Sequence, residues 1–312
     1  MSSVIPDSIT EIGGRVDNVH LFLILMMVFW FIACNVVMIY FMFRYRRKSE
    51  DQEVTPIKGH HLLEVAWTVI PTVLVLIIFY FGIDVWTDMR TPPENAMEIK
   101  VKAQKWSWSF TYPDGQNTAV DLYVPQGEPV KLIMNSADVL HSLFIPEFRV
   151  KEDVVPSMFT YLWFQADKPG VYNIFCTEYC GKDHSAMLGK VHVLDPETWE
   201  RFQLRQPLDP NEVPKTPMEN GRDLYTKRGC GGCHSTDGNT VVGPTFAGLF
   251  GREELMADGS TIVVDENYLA ESIKYPKAKV VKGYPDNQMP SFDGQLDDDQ
   301  ISDIITFIKS LD

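Results

Sequence analysis

Two long apolar runs near the start of the chain constrain its fold more than any other sequence feature. They cover residues 20–43 and about 62–86, and each is almost free of charged side chains. A helix needs roughly 20 apolar residues to cross a bilayer, and both runs reach that length. A buried core helix can be equally apolar, whereas a signal peptide has a shorter apolar stretch and a small-residue cleavage site. The pattern predicts a two-helix transmembrane hairpin.

Basic residues predict the orientation of this hairpin. Only Arg15 precedes the first run, whereas the loop between the runs carries Arg44, Arg46, Arg47, Lys48 and Lys58. Because Lys and Arg concentrate on the cytoplasmic side, the N-terminus and everything after about residue 83 are expected on the periplasmic side of a bacterial inner (plasma) membrane. The net charge of −14 argues against nucleic acid and suits a basic soluble partner.

The segment after the hairpin has the pattern of an all-β domain, predicted over residues 93–203. Short strands separated by turn signals are typical of a sandwich or a barrel. Alternating apolar residues mark such strands at 99–103, 130–134, 172–175 and 190–194. The proline-rich stretch 204–217 predicts a linker.

Residues 218–312 are expected to form an all-α domain. The pattern turns helical from about residue 218, in "MENGRDLYTKRG", and apolar periodicity predicts a second helix at 265–275 and a third at 297–311. One face of the third helix carries the isoleucines Ile301, Ile304, Ile305 and Ile308. With the polar lead and hairpin in residues 1–92, these parts predict a multidomain protein.

The stretch "FCTEYCGKDHSAML" (175–188) brings Cys176, Cys180, His184 and Met187 into one loop. Thiolate and thioether are soft ligands, and imidazole suits copper as well as zinc. His141 can join them, because loops from separate strands cluster at one end of a sandwich. Two thiolates this close can bridge two metal ions, which favours a dinuclear copper centre. A zinc site would not use Met187 as a ligand. A disulfide between the two cysteines would give no role to either histidine or to Met187.

The pentapeptide "CGGCH" (230–234) has the pattern that attaches a c-type haem, through Cys230 and Cys233 with His234 as an axial ligand. A thioredoxin-like redox motif would need a βαβ context, which the pattern around it lacks. A methionine as second axial ligand would raise the reduction potential. Met289, in a loop before the last helix, is predicted for this role over Met256 in a charged stretch; the alternative for Met289 is simple packing.

At these residues the chain resembles subunit II of the haem-copper cytochrome c oxidases, over nearly its first 200 residues. The motifs are "DVLHSLFIP" (138–146) and "CTEYCGKDHSAM" (176–187), and the tail resembles class I cytochromes c. The resemblance implies a transmembrane helix hairpin, an all-β cupredoxin-like sandwich and an all-α class I cytochrome c domain. It also implies the ligands of a dinuclear copper centre, CuA: Cys176 and Cys180 bridging, His141 and His184 terminal, Met187 weakly axial, and the Glu178 carbonyl.

Four further roles follow from the same resemblance. The Glu178 side chain would help to bind a magnesium ion against subunit I. Trp106, in "QKWSWSF", would be the residue through which electrons enter CuA, although Ser107 stands where the family commonly has another aromatic and tryptophans also pack sandwiches. Glu64 would mark the mouth of a proton channel, because a carboxylate at the membrane edge is costly without a partner or a pathway; a plain interfacial carboxylate is the alternative. Pro244, in "VGPTFAGLFG", would support the axial histidine.

The implied function is electron input to a proton-pumping terminal oxidase with a fused cytochrome c, a caa-type arrangement. Electrons would pass from an outside donor through haem c and CuA to subunit I, where haem a and CuB reduce oxygen to water. Implied partners are subunit I, other oxidase subunits, a soluble or membrane cytochrome donor, and membrane lipid. No residue of this chain is expected to act in catalysis. The alternatives are a CuA subunit of a nitric oxide reductase, a metal-free quinol oxidase subunit, and a nitrous oxide reductase, which lacks the hairpin.

Overall fold

A computed structural model of the chain describes residues 6–53, 59–209, 215–286 and 288–311. Lys58 of the basic loop, residues 1–5 of the polar lead and residues 210–214 of the predicted linker lie outside these described residues.

The two predicted apolar helices are present, as α1 (Glu11–Arg44) and α2 (His61–Arg90). Both are long and apolar enough to cross a membrane, and their most apolar windows contain no residue buried inside the structure. Helix α1 begins well before residue 20, because the Thr10 side chain caps it by accepting a hydrogen bond from the Gly13 amide (3.0 Å). Its 34 residues span about 50 Å, so it extends beyond a hydrocarbon layer of about 30 Å.

A β-sandwich follows the hairpin and confirms the predicted all-β, cupredoxin-like domain. Its two five-stranded sheets have the orders β3-β2-β1-β5-β8 and β4-β10-β9-β6-β7. The strands are β1 (Met97–Gln104), β2 (Ser107–Thr111), β3 (Asn117–Ala119), β4 (Asp121–Pro125), β5 (Pro129–Ser136), β6 (His141–Ile145), β7 (Val150–Val154), β8 (Thr160–Gln165), β9 (Gly170–Cys176) and β10 (Leu188–Leu194).

The core of the sandwich lies between the inner faces of the two sheets. Its fully buried side chains include Ile99, Trp108, Leu132, Leu143 and Ile174. Helix α3 (Pro196–Gln203), which the sequence pattern did not predict, closes one end and buries Trp199 and Phe202. Asp195 starts this helix by accepting hydrogen bonds from the amides of its first turn.

The C-terminal domain is helical, as predicted. It consists of α4 (Pro217–Lys227), α5 (Glu266–Lys274), α6 (Asp298–Lys309) and a short hairpin of β11 (Glu253–Leu255) and β12 (Thr261–Val263). The predicted apolar face of α6 is buried, with Ile301, Ile304, Ile305 and Ile308 in the domain core. Helix α4 crosses α6 at Gly221, where a Cβ atom would overlap the Asp303 main chain.

The outer end of the hairpin is bonded to the sandwich. The Trp163 indole donates to the Asp88 carbonyl oxygen (2.9 Å), and Arg90 pairs with Glu152 (2.6 Å). The lead before α1 also joins the sandwich, since the Ile9 amide donates to the Glu147 carbonyl oxygen (3.0 Å). The N-terminal lead and the sandwich therefore lie on the same side of the hairpin.

The β1–β2 hairpin of the sandwich packs against the helical domain. The Ser107 hydroxyl donates to the Lys227 carbonyl oxygen (3.2 Å), and the Gln295 amide donates to the Gln104 side chain (3.1 Å). Both glutamine side chains are buried. This interface places the turn between β1 and β2 beside the "CGGCH" segment.

Candidate metal centre and haem pocket

The pairing of β6 with β9 brings His141 to the cysteine loop. In the register of these neighbouring strands Leu143 lies opposite Cys176, so His141 stands at the end of β6 where the loop leaves β9. The loop is closed at its base, because the Cys176 amide donates to the Met187 carbonyl oxygen (3.2 Å). The Thr177 amide in turn donates to the Ser142 carbonyl oxygen (3.0 Å).

The two loop cysteines are free and adjacent. Their Sγ atoms are 3.8 Å apart, well beyond the roughly 2.05 Å of a disulfide bond. Burial opposes ionisation, but hydrogen bonds from His141 and neighbouring amides lower the pKa of Cys176 to about 6. Burial and the neighbouring Cys176 thiolate raise the pKa of Cys180. A thiolate at Cys176 therefore opposes ionisation of Cys180, and a cation beside both sulfurs would favour two thiolates.

The remaining predicted ligands surround these sulfurs. His141 Nδ1 lies 3.9 Å from the Cys176 sulfur, and the Glu178 carbonyl oxygen lies 3.4 Å from it. His184 Nδ1 is 3.5 Å and the Met187 sulfur 3.9 Å from the Cys180 sulfur. Met187 and His141 are fully buried.

Asp138 fixes the ring of His141, a contact that the sequence pattern did not predict. His141 Nε2 donates to the Asp138 carboxylate (2.9 Å), so Nδ1 is the nitrogen that faces Cys176. Burial disfavours the protonated ring, but the hydrogen bond with Asp138 raises the pKa of His141. Carboxylate partners of this kind commonly orient metal-binding histidines.

This donor set fits copper better than structural zinc. Two thiolates, two imidazoles, a thioether and a carbonyl oxygen exceed the four ligands of a tetrahedral zinc site. Soft sulfur donors combined with imidazole suit copper. Among the described residues, His141, Cys176 and Cys180 form a compact metal-binding cluster. The Glu178 carboxylate lies outside that cluster, and its magnesium role stays a prediction.

A cavity with mainly apolar walls runs through the helical domain beside "CGGCH". Its lining includes Cys230, Cys233, His234 and Met289, the four residues predicted for haem. Both cysteines are free thiols, as covalent attachment requires. Met256 is only 2 % exposed, packs in the domain core and does not line the cavity. The residues present therefore fit a covalently attached haem.

The ring of His234 is held for ligation. Its Nδ1 donates to the Pro244 carbonyl oxygen (2.7 Å), which leaves Nε2 for an iron ion. Burial lowers the pKa of His234 and so favours the neutral ring that binds metals. Phe246 stacks on the ring with centroids 4.6 Å apart. The main chain at Gly243 passes close to the His234 ring, since a Cβ on Gly243 would lie 2.7 Å from His234 Cε1.

Trp106 lies between the copper loop and the haem pocket. Its side chain lines the haem cavity. It also borders the copper loop, where a Cβ on Gly181 would lie 3.3 Å from the indole Cζ2. Trp108 is fully buried in the sandwich core and meets His141 edge-on, with ring centroids 6.2 Å apart.

Glu64 lies in the first turn of α2, at the end opposite to the sandwich. Its carboxylate accepts a hydrogen bond from the His60 amide (3.4 Å) and lies 3.6 Å from His61 Nδ1. The side chain is about half exposed on the surface of the hairpin. This position agrees with the expected inner edge of the span, and the channel role stays a prediction.

Three family models match separate segments of the chain. Residues 2–85 match the transmembrane domain of cytochrome c oxidase subunit II, and residues 121–193 match its periplasmic domain. Residues 218–312 match the cytochrome c family.

Three curated relatives cover between 67 % and 95 % of this chain. The cytochrome c oxidase subunit 2 of Alkalihalophilus pseudofirmus is 30 % identical over 309 residues, spanning 95 % of this chain and 86 % of the relative. The same subunit of Bacillus sp. strain PS3 is 27 % identical over 288 residues, with 85 % and 79 % covered. That of Synechocystis sp. is 25 % identical over 257 residues, with 67 % and 77 % covered.

The fold and the two sites define a membrane-anchored protein that joins a cupredoxin-like domain to a c-type cytochrome domain, both outside the membrane. The chain belongs to the cytochrome c oxidase subunit II family. Its fused cytochrome c domain fits the caa3-type oxidases. The nitric oxide reductase alternative is not favoured, since the curated relatives are named as oxidase subunits.

Proposed function

We propose that this chain is the electron-input subunit of a proton-pumping terminal oxidase. It would accept electrons from an outside cytochrome donor, soluble or membrane-bound, and deliver them to subunit I, which reduces oxygen to water. The observation that carries the proposal is the position of Trp106, which borders both the copper loop and the haem pocket.

The copper loop would hold a dinuclear CuA centre, which supplies one-electron transfer when bound. The residues that would hold it are Cys176, Cys180, His141, His184, Met187 and, through its carbonyl oxygen, Glu178. Asp138 holds the His141 ring in place. The three sulfur atoms of the loop and the His141 ring are buried, whereas His184 is half-buried.

The helical domain would hold one haem c, with Cys230 and Cys233 as the attachment residues and His234 and Met289 as the residues that would bind its iron. When bound, this group supplies one-electron redox chemistry at a high potential. Pro244 keeps His234 Nε2 available. Trp106 contributes its aromatic ring to the wall that separates the two sites.

The hairpin would bind subunit I and membrane lipid. Its exposed apolar surface suits such contacts. The basic loop predicts that Glu64 lies at the cytoplasmic edge, at the mouth of a proton channel, with the N-terminus and both C-terminal domains outside a bacterial inner membrane. A magnesium ion held by Glu178 against subunit I completes the proposal.

Metal and haem analysis of the purified complex tests this function. We expect about two copper ions in the copper loop of each chain and about one c-type haem, with near-infrared copper absorption. His141→Ala should abolish the copper absorption and leave the haem bands intact, because the two sites lie in separately packed cores. Zinc or a disulfide at the loop of the assembled wild type would contradict the proposal. Loss of both signals in the variant would indicate misfolding, which circular dichroism detects.

A further inference from the structure

Arg228 is a buried cation without a carboxylate partner. It follows α4, two residues before Cys230, and is only 3 % exposed. Within the described part of the chain, no acidic side chain forms an ion pair with it. A buried charge of this kind is strongly destabilising unless an anion pairs with it.

Protein groups hold two of the three guanidinium nitrogens of Arg228. Nη1 donates to the Ser109 hydroxyl on β2, and Nη2 donates to the Gln295 carbonyl oxygen (2.7 Å). Both partners are neutral, so they orient the guanidinium, and the Asp297 carboxylate acts on its charge only through space, without an ion pair. Nε is buried and has no hydrogen-bond partner among the described residues.

Arg228 also lines the haem pocket. Other cations of the pocket wall are less suited to pair with an anion inside it, since Lys279 is bonded to Glu271 (2.6 Å) and Lys105 is exposed. A haem carries two propionate groups, which are the anions that such a pocket would receive.

We propose that Arg228 is a positioning residue whose Nε pairs with a haem propionate. The inference rests on the proposed function, because it needs a haem in this pocket. The propionate would satisfy both the free donor and the charge of Arg228. Because Ser109 belongs to the sandwich, the same side chain would fix the haem edge relative to the copper domain.

Redox titration of the complex tests the proposal, with Arg228→Gln as the variant. The reduced haem carries one more negative charge than the oxidised haem, so loss of a nearby cation destabilises the reduced haem more. The ratio of reduced to oxidised haem at a fixed ambient potential should therefore fall by about tenfold. Arg228→Lys keeps the charge and should restore most of the ratio. Arg222→Gln is the matched control, because Arg222 is exposed on α4; it should leave the ratio unchanged.

An unchanged ratio in Arg228→Gln with normal haem content would overturn the proposal. If Arg228→Gln loses its haem, an experimental density map of the wild-type complex tests the pairing instead. A propionate oxygen about 3 Å from Nε supports the pairing, and two propionates turned away from Arg228 overturn it. Absence of covalent haem from the wild type would overturn the proposed function as well, which separates the two failures.

Discussion

The Asp138 carboxylate lies 2.9 Å from Nε2 of His141 and thereby aims the opposite ring nitrogen at Cys176. Asp138 precedes β6 and also accepts hydrogen bonds from the amides of Lys105 and Val139. The main chain therefore holds the carboxylate that orients the copper ligand. One of the two amide donors belongs to Lys105, the residue that precedes Trp106.

Asp138→Ala should weaken copper binding by about 10- to 100-fold, the usual effect of removing a carboxylate that orients a metal-binding histidine. Copper titration of the metal-depleted complex measures this change. Asp114→Ala is the control, since Asp114 lies in an exposed turn between β2 and β3, which belong to the sheet that does not contain His141. Equal copper affinity in the Asp138 variant and the wild type would show that ring orientation does not depend on this contact.

Trp106→Ala should slow electron transfer from haem to copper severalfold, because it removes the aromatic ring between the two sites. Flash photolysis with a photoreducing dye measures the rate. Copper and haem contents should stay normal, and Trp106→Phe should slow transfer less because it keeps an aromatic ring. A wild-type rate in the alanine variant would remove Trp106 from the proposed path.

Gly221→Ala should destabilise the helical domain by about 1–3 kcal/mol, because the new Cβ would overlap the Asp303 main chain where α4 crosses α6. Thermal unfolding followed at the haem absorption reports this loss. Thr226→Ala is the control, since Thr226 is exposed on the same helix. Equal midpoints for the two variants would mean that the crossing can widen without cost.

Removing copper with a chelator should leave the sandwich folded. Its core, with Ile99, Leu132 and Ile174, forms between the sheets and does not depend on the loop. The midpoint of unfolding should nevertheless fall, since a ligand that binds only the folded state at 100 times its Kd stabilises it by about 2.7 kcal/mol. Far-ultraviolet circular dichroism and calorimetry measure the two effects. Loss of β-structure on chelation would contradict this expectation.

Local patterns predicted much of the fold. The apolar runs predicted α1 and α2, and alternation predicted the strands around residues 99–103 and 190–194. Helix α3 was missed because eight residues with Trp199 and Phe202 as the buried positions show too little periodicity. The early start of α1 was missed because a polar first turn capped by Thr10 carries no apolar signal.

Long-range contacts account for what the sequence could not predict at the site. Cys176, Cys180, His184 and Met187 lie within one short loop, so their approach was visible in the sequence. Arg228 meets Ser109 across 119 positions of the chain, and no local pattern indicates that contact. Asp138 lies three residues before His141, but only the strand geometry of β6 shows that the two side chains meet.

The two-residue turn between β1 and β2 supplies Lys105 and Trp106 to the wall of the haem pocket. The cytochrome domain is consequently not structurally independent, because the neighbouring sandwich supplies part of the wall of its haem pocket. A cytochrome domain produced without the sandwich would expose this side of the haem pocket to solvent. Its absorption spectrum and reduction potential should therefore differ from those of the same domain in the intact chain. Replacement of this domain by an unrelated soluble cytochrome would then require redesign of the turn between β1 and β2 as well.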